Sequence, residues 1–157
     1  MGKKVKLGMP IIARPFLIEV GLTASQIFKR RSGHFVVMNP TTGFVTIAAD
    51  SAAIITGWAL VGKDWTSSGT AGQDKVTVDT HPLHVWEMPS DAAFTAAALL
   101  LLIGDTCDIA VDGTTKIQSV DIGETNQDLL VIVGGDVDEQ TLYVHMNPLK
   151  LYTQGVA

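Results

Sequence analysis

The chain has 157 residues, 46% apolar and only 17% charged, with a net charge of −5. That length suits one domain with a sizeable core, and a single cysteine, Cys107, excludes an intrachain disulfide. So few charges leave much neutral surface, which subunit contacts would hide, so composition favours an oligomer or a component of an assembly over a freely soluble monomer.

Charge is unevenly spread. Residues 1–31 hold Lys3, Lys4, Lys6, Arg14, Lys29, Arg30 and Arg31 against one acid, Glu19, while the remainder holds four lysines against fifteen acids. This predicts a basic N-terminal arm, residues 1–31, ahead of a single β-rich domain, residues 32–157. Such an arm suits an acidic partner surface, a neighbouring copy included; a merely solvated start is the alternative. Direct nucleic-acid binding is disfavoured, because no aromatics interleave the basic clusters and the acidic body repels phosphate. Pro10, Arg14 and Pro15 interrupt the early apolar stretch, no small-residue cleavage site follows, and Lys6 stands where myristoylation prefers Ser or Thr. The expectation is an untargeted protein made in the cytoplasm, without membrane contact.

Strand signals dominate along the chain. His34–Asn39 and Gly43–Ala49 are rich in β-branched and aromatic residues and flank Pro40-Thr41-Thr42-Gly43, which predicts a hairpin. Ile54–Gly62 reads as a strand in which Gly57 marks a bulge or a close backbone approach. Ser67–Asp74 is a loop by composition. Lys75–Asp79 alternates, and His84–Met88 follows His81-Pro82. Ser90 and Asp91 then resemble a helix N-cap ahead of Ala92–Leu102, with Gly104 as the stop. A membrane span needs about 20 apolar residues, so this run predicts a short helix, and its all-round apolarity predicts burial. On that reading Leu100→Asp unfolds the domain.

After the helix Thr106–Gly113 alternates, with Cys107, Ile109 and Val111 on one face and Asp108, Ala110 and Asp112 on a solvated one. Asp112-Gly113 signals a hairpin into Lys116–Ile122. Asp128–Gly135 reads as a buried strand and Thr141–Met146 as an alternating one. The predicted fold is mainly β: an antiparallel barrel or sandwich with one short buried α-helix, about residues 91–102, and an extended N-terminal arm.

Chemical motifs are scarce. His81 and His84 lie three apart, which in an extended segment points them to opposite faces and makes joint metal ligation awkward. His34 and His145 read as surface or interface residues. Asp105, Asp108 and Asp112 miss the calcium-loop spacing, and Asp136, Asp138 and Glu139 read as a solubilising turn before a cation site. No G-x-S-x-G, P-loop or G-x-G-x-x-G occurs. No catalytic residue, metal or cofactor is expected, and the protein reads as a non-enzyme. Trp58 and Trp86 are expected in the core, and Trp65, beside the Ser/Gly loop, is the candidate exposed contact.

Three segments together resemble the head decoration (cement) proteins of tailed bacteriophages. They are GHFVVMNPTTGFVTIAADSAAIITGWAL, MPSDAAFTAAALLLLIGDTCDIAVDG and LLVIVGGDVDEQTLYVHMNPLKL, within Gly33–Leu151. The resemblance implies a structural protein on the outer surface of the virion capsid. It would bind the expanded head, tie neighbouring copies of the major capsid protein together and often act as a homotrimer. The basic residues Lys3 to Arg31 would suit a capsid surface or a neighbouring subunit. The competing expectation is a small β-domain that binds glycan or a host-surface polymer through Trp65.

Overall fold

The computed structural model describes residues 16–123 and 126–151. In chain order it contains β1 (Leu17–Gly21), β2 (Ile27–Phe28), β3 (Phe35–Met38), β4 (Val45–Ile47), β5 (Gly57–Ala59), β6 (Trp65–Thr66), β7 (Lys75–Asp79) and β8 (Trp86–Pro89). Then come α1 (Ala96–Leu102), β9 (Thr106–Val111), β10 (Gln118–Asp121), β11 (Leu130–Asp136), β12 (Thr141–Met146) and a 3₁₀ turn at Pro148–Lys150.

Two five-stranded antiparallel sheets, ordered β1-β7-β5-β3-β4 and β10-β9-β11-β12-β8, are accompanied by a two-stranded ribbon of β2 and β6. Both sheets curl toward closure. In the first, Leu22 bridges Val45 of β4, and Thr23 N–H donates to the Val45 carbonyl at 2.9 Å. In the second, Ser90 bridges Val120 of β10, and Asp91 N–H donates to the Val120 carbonyl at 2.9 Å. The result is mainly β, with a nearly closed barrel-like second sheet.

Alternation decides which side chains fill these curls. β7 buries Val76 and Val78, and β12 buries Leu142, Val144 and Met146. The hairpin of β3 and β4 turns where Asn39 Oδ1 accepts from Thr41 and Thr42 N–H, at 2.8 and 3.2 Å. Gly43 takes φ +71° there, a conformation glycine adopts without a Cβ clash. Gly57 is the close approach the sequence suggested: a Cβ would press into the Asp79 carbonyl of β7.

A buried side chain helps tie the two sheets, beside a backbone bridge in which Ile55 N–H donates to the Lys150 carbonyl at 2.8 Å. Gln118 of β10 is 1% exposed and reaches into the first sheet. Its Oε1 accepts from Phe35 N–H at 2.8 Å, and its Nε2 donates to the Phe35 and Ala48 carbonyls at 3.0 and 2.8 Å. Its backbone N–H donates to Ser32 Oγ at 2.7 Å, and its carbonyl accepts from Gly33 N–H at 2.8 Å. Gly33 is required beside it, because a Cβ there would lie only 2.5 Å from Gln118 Oε1. The larger core cluster spans this joint, packing Phe35, Ile55 and Trp58 of the first sheet region against Met88, Ile109, Val120 and Ile132 of the second.

Two expectations are corrected. Residues 17–31 are not an extended arm: β1 pairs with β7 over Leu17–Gly21, and β2 pairs with β6. Leu22 and Phe28 are buried in the smaller core cluster, so the β-domain includes the second half of the predicted arm. Lys3, Lys4, Lys6 and Arg14 lie outside the described residues. The helix, in turn, is not buried. It spans seven residues, none of them buried. The second sheet fills its own interior with Ile109, Val120, Leu130, Ile132, Leu142 and Val144, all fully buried, so the helix is excluded to the outside.

Gln118→Ala removes three hydrogen bonds and leaves Phe35 N–H and the Ala48 carbonyl buried without the partners they have in the native fold. At about 1–3 kcal/mol for each orphaned group, the expected loss in a urea-unfolding measurement is about 3 kcal/mol or more. An unfolding midpoint equal to wild type would show that the amide does not tie the sheets.

Candidate interaction surfaces

The helix begins later than Ser90-Asp91 because strand pairing claims those residues. Ser90 N–H donates to the Gln140 carbonyl at 3.0 Å, and Asp91 Oδ1 accepts from Ile122 N–H at 3.1 Å. Phe94 is then anchored in the core, its N–H donating to Gln140 Oε1 at 2.8 Å and its carbonyl accepting from Gln140 Nε2 at 3.0 Å. Thr95 is the true N-cap, with Oγ1 accepting from Ala98 N–H at 3.2 Å. Gly104, at φ +95°, ends the helix and donates to the Ile132 carbonyl at 2.8 Å.

α1 rests on β11 where the strand bulges between Ile132 and Gly134. Gly135 makes room: a Cβ there would lie only 3.1 Å from Leu99 Cδ1. Ala98, Leu99 and Leu102 pack on the core cluster. Leu100 and Leu101 face outward, 75% and 80% exposed, with Ile103 and Val133 also exposed. No charged residue occurs from Ala92 to Ile103. The outcome is an uncharged, apolar ridge on the surface. A second apolar surface lies at the start of β1, where Phe16, Leu17 and Ile18 are exposed.

The remaining predicted contacts are placed as follows. Lys29 precedes the turn at Arg30-Arg31, and its carbonyl accepts from His34 Nε2 at 2.9 Å. Arg30 is held through its backbone, its N–H donating to Asp64 Oδ1 at 2.6 Å. Arg31, at φ +66°, lines a groove of about 480 Å³ with Glu87 and Glu139. Trp65 is half-buried, with its ring stacked on Phe28 at 5.8 Å. It borders an open groove of about 630 Å³ that also includes Lys63, Lys75 and Thr77.

Three histidines differ from expectation. His34 is buried, its ring against Trp58 and edge-on to Phe28. The turn at Pro82-Leu83 stacks His81 on His84, with centroids 4.2 Å apart and planes 16° apart. His84 Nδ1 bonds Asp79 Oδ2 at 2.6 Å, and Asp79 Oδ1 accepts from His81 N–H at 2.9 Å. Lone pairs of near-parallel rings do not converge on one ion. Among the described residues no group of three or more His, Cys, Asp or Glu is arranged to hold a metal. Nor is any helix among them long and apolar enough to cross a membrane.

The carboxylates are turn-formers. Asp108, expected in solvent, is buried and accepts from the N–H groups of Asn126, Gln127 and Asp128 at 2.6–3.1 Å. Asp112 accepts from Thr114 and Thr115 N–H, and bonds to Thr115 above all hold its carboxyl below the usual range. Asp136 accepts from Asp138 and Glu139 N–H. Cys107 is buried on the Ile109 face, as expected.

No protein-family model matches the chain, and no curated protein or solved structure is significantly similar to it.

Two measurements test this arrangement. Leu101→Asp is expected to shift the unfolding free energy by less than about 1 kcal/mol, as for a surface site, whereas Ile132→Asp abolishes folding. Thermal melts that rank the two variants the other way would put α1 inside the fold. Burial also lowers the His34 pKa below 6.5, outweighing its bond to Lys29. The unfolded chain therefore takes up the proton first, and His34 contributes stability above about pH 6.5 that is lost as the pH falls. Between pH 7 and 5.5 the urea midpoint of wild type should fall further than that of His34→Gln; equal falls would show that His34 is not the titrating group.

Proposed function

We propose that this chain is a structural decoration protein that binds the outside of an expanded phage head and bridges neighbouring capsid subunits. The observation that carries the reading is the uncharged ridge of α1, whose Leu100 and Leu101 are presented to water on a chain with few charges. Exposed apolar surface of this kind marks a contact site. The three segments quoted above, which include α1 and its flanking strands, add the resemblance to head decoration proteins. The mechanism is linkage: a ligand that binds only the assembled shell stabilises it by about 2.7 kcal/mol per site at a hundredfold excess over Kd, and a shell offers many identical sites. Association into trimers belongs to the same proposal.

The second reading, a glycan-binding module, rests on Trp65 beside its groove with Lys63 and Lys75. Against it stands Phe28, which stacks on Trp65. Co-sedimentation with expanded and unexpanded heads separates the two. Wild type is expected to pellet with expanded heads, and a Leu100→Asp/Leu101→Asp double variant, folded by its melt, to lose at least tenfold in occupancy. Failure of wild type to pellet, together with glycan-array binding that Trp65→Ala abolishes, would replace the first reading with the second.

A further inference from the structure

Beside α1 lie two adjoining grooves of about 330 and 350 Å³ that share Leu102, Asp105 and Ile122. Together they form one channel along the helix. Its apolar walls include Phe94, Ala98, Leu101 and Ile132, and its carboxylates are Asp105 and Asp128. Among the described residues no lysine or arginine lines either part. The channel is thus apolar in its walls and acidic in its charge.

The chain carries a segment of complementary chemistry. Residues 1–15 hold Lys3, Lys4, Lys6 and Arg14 and no acid, interleaved with Val5, Leu7, Met9, Ile11 and Ile12. Residues 16–157 hold seven basic residues against sixteen acids. From Lys4 to Met9 lysines and apolar residues alternate around Gly8. Laid extended in a channel, that pattern would turn Val5, Leu7 and Met9 to the apolar side and Lys4 and Lys6 to the other. The segment joins the body at Phe16. Fifteen residues span up to about 50 Å, whereas a domain of this size has a radius of gyration of about 15 Å, so the channel is within reach of its own chain.

We propose that residues 3–12 dock in cis in the acidic, apolar channel beside α1. A tethered segment experiences a millimolar effective concentration, so its own body takes it before a second copy does at micromolar protein. The local field agrees. Burial pushes the Cys107 thiol up to about 12, and Asp108, Asp121, Asp128 and Asp91 each add in the same direction. A thiol at the channel wall therefore registers an excess of negative charge. Docking in the free protein stands independently of the head-binding reading. That a shell must displace the segment to reach α1 does rest on it.

The test is disulfide trapping in the full-length chain. Ile12→Cys is paired with Leu101→Cys in one variant and with Leu60→Cys in a control; both partners are exposed. Cys107 lines one of the two grooves, so it is changed to Ser in both variants to keep it from competing. At low micromolar protein under mild oxidant, mass spectrometry is expected to find the intrachain bond of the Ile12→Cys/Leu101→Cys variant forming at least tenfold faster than that of the Ile12→Cys/Leu60→Cys control. Lys3, Lys4 and Lys6 changed together to Glu should slow it to the control rate. Equal rates for the two variants would overturn the proposal, because the segment then has no preferred site. Interchain dimers alone would overturn it in favour of a second copy as the occupant.

Discussion

The Gln118 amide is the constraint on which the rest of the molecule depends. Each curled sheet has five strands of three to seven residues. What turns them into one body is a buried joint across which Gln118 satisfies Phe35 and Ala48 while its own backbone is bound by Ser32 and Gly33. A buried amide left unpaired is expensive, so this network has essentially one solution. It fixes β3 against β10, and the aromatic stack behind it follows: Phe35 meets Trp58 edge-on at 4.9 Å, and Trp58 lies flat on Trp86 at 4.8 Å. The joint thus sets relative sheet position at a point remote from the surface.

Packing inside the second sheet explains why α1 is outside. Once the second sheet closes around its own leucines, isoleucines and valines, no volume remains for seven more apolar residues. The sequence cannot display this competition. Ala and Leu report helix propensity and total apolarity, but a helix that is apolar all round looks alike whether it is a core element or a face awaiting a partner. The deciding quantity is the interior left over by β9–β12, which is a tertiary property.

Local signals are legible in the sequence. Lys75–Asp79 and Thr141–Met146 are the strands that alternation predicts, the Pro40–Gly43 turn joins β3 to β4, and Gly57 sits against a neighbouring carbonyl. Features that differ from expectation share one cause: a long-range partner changes the meaning of a residue. Ser90 and Asp91 have cap chemistry, yet Gln140 and Val120 draw them into the barrel's closing seam. Asp108 lies on the face that period-2 counting assigns to solvent, yet it gathers three backbone N–H groups of a distant loop. His81 and His84 meet because a turn interrupts the extended segment that spacing assumed. Likewise the charge asymmetry is real, but its boundary is not a domain boundary, since Leu22 and Phe28 are core residues inside the basic stretch.

That last point sharpens where the basic charge can act. Arg30 donates its backbone N–H to Asp64, and Arg31 shares a groove with Glu87 and Glu139. Residues 1–15 hold four basic residues and no acid, and the remainder of the chain is acidic overall. Such a molecule holds two complementary halves in one chain. Coulomb attraction between them is screened beyond about 8–10 Å at physiological salt, so charge alone would not seat the segment at a given place. Apolar contact must choose the place, and along α1 an exposed apolar wall and acidic charge coincide. On the docking proposed above, specificity would come from the helix that the barrel leaves outside.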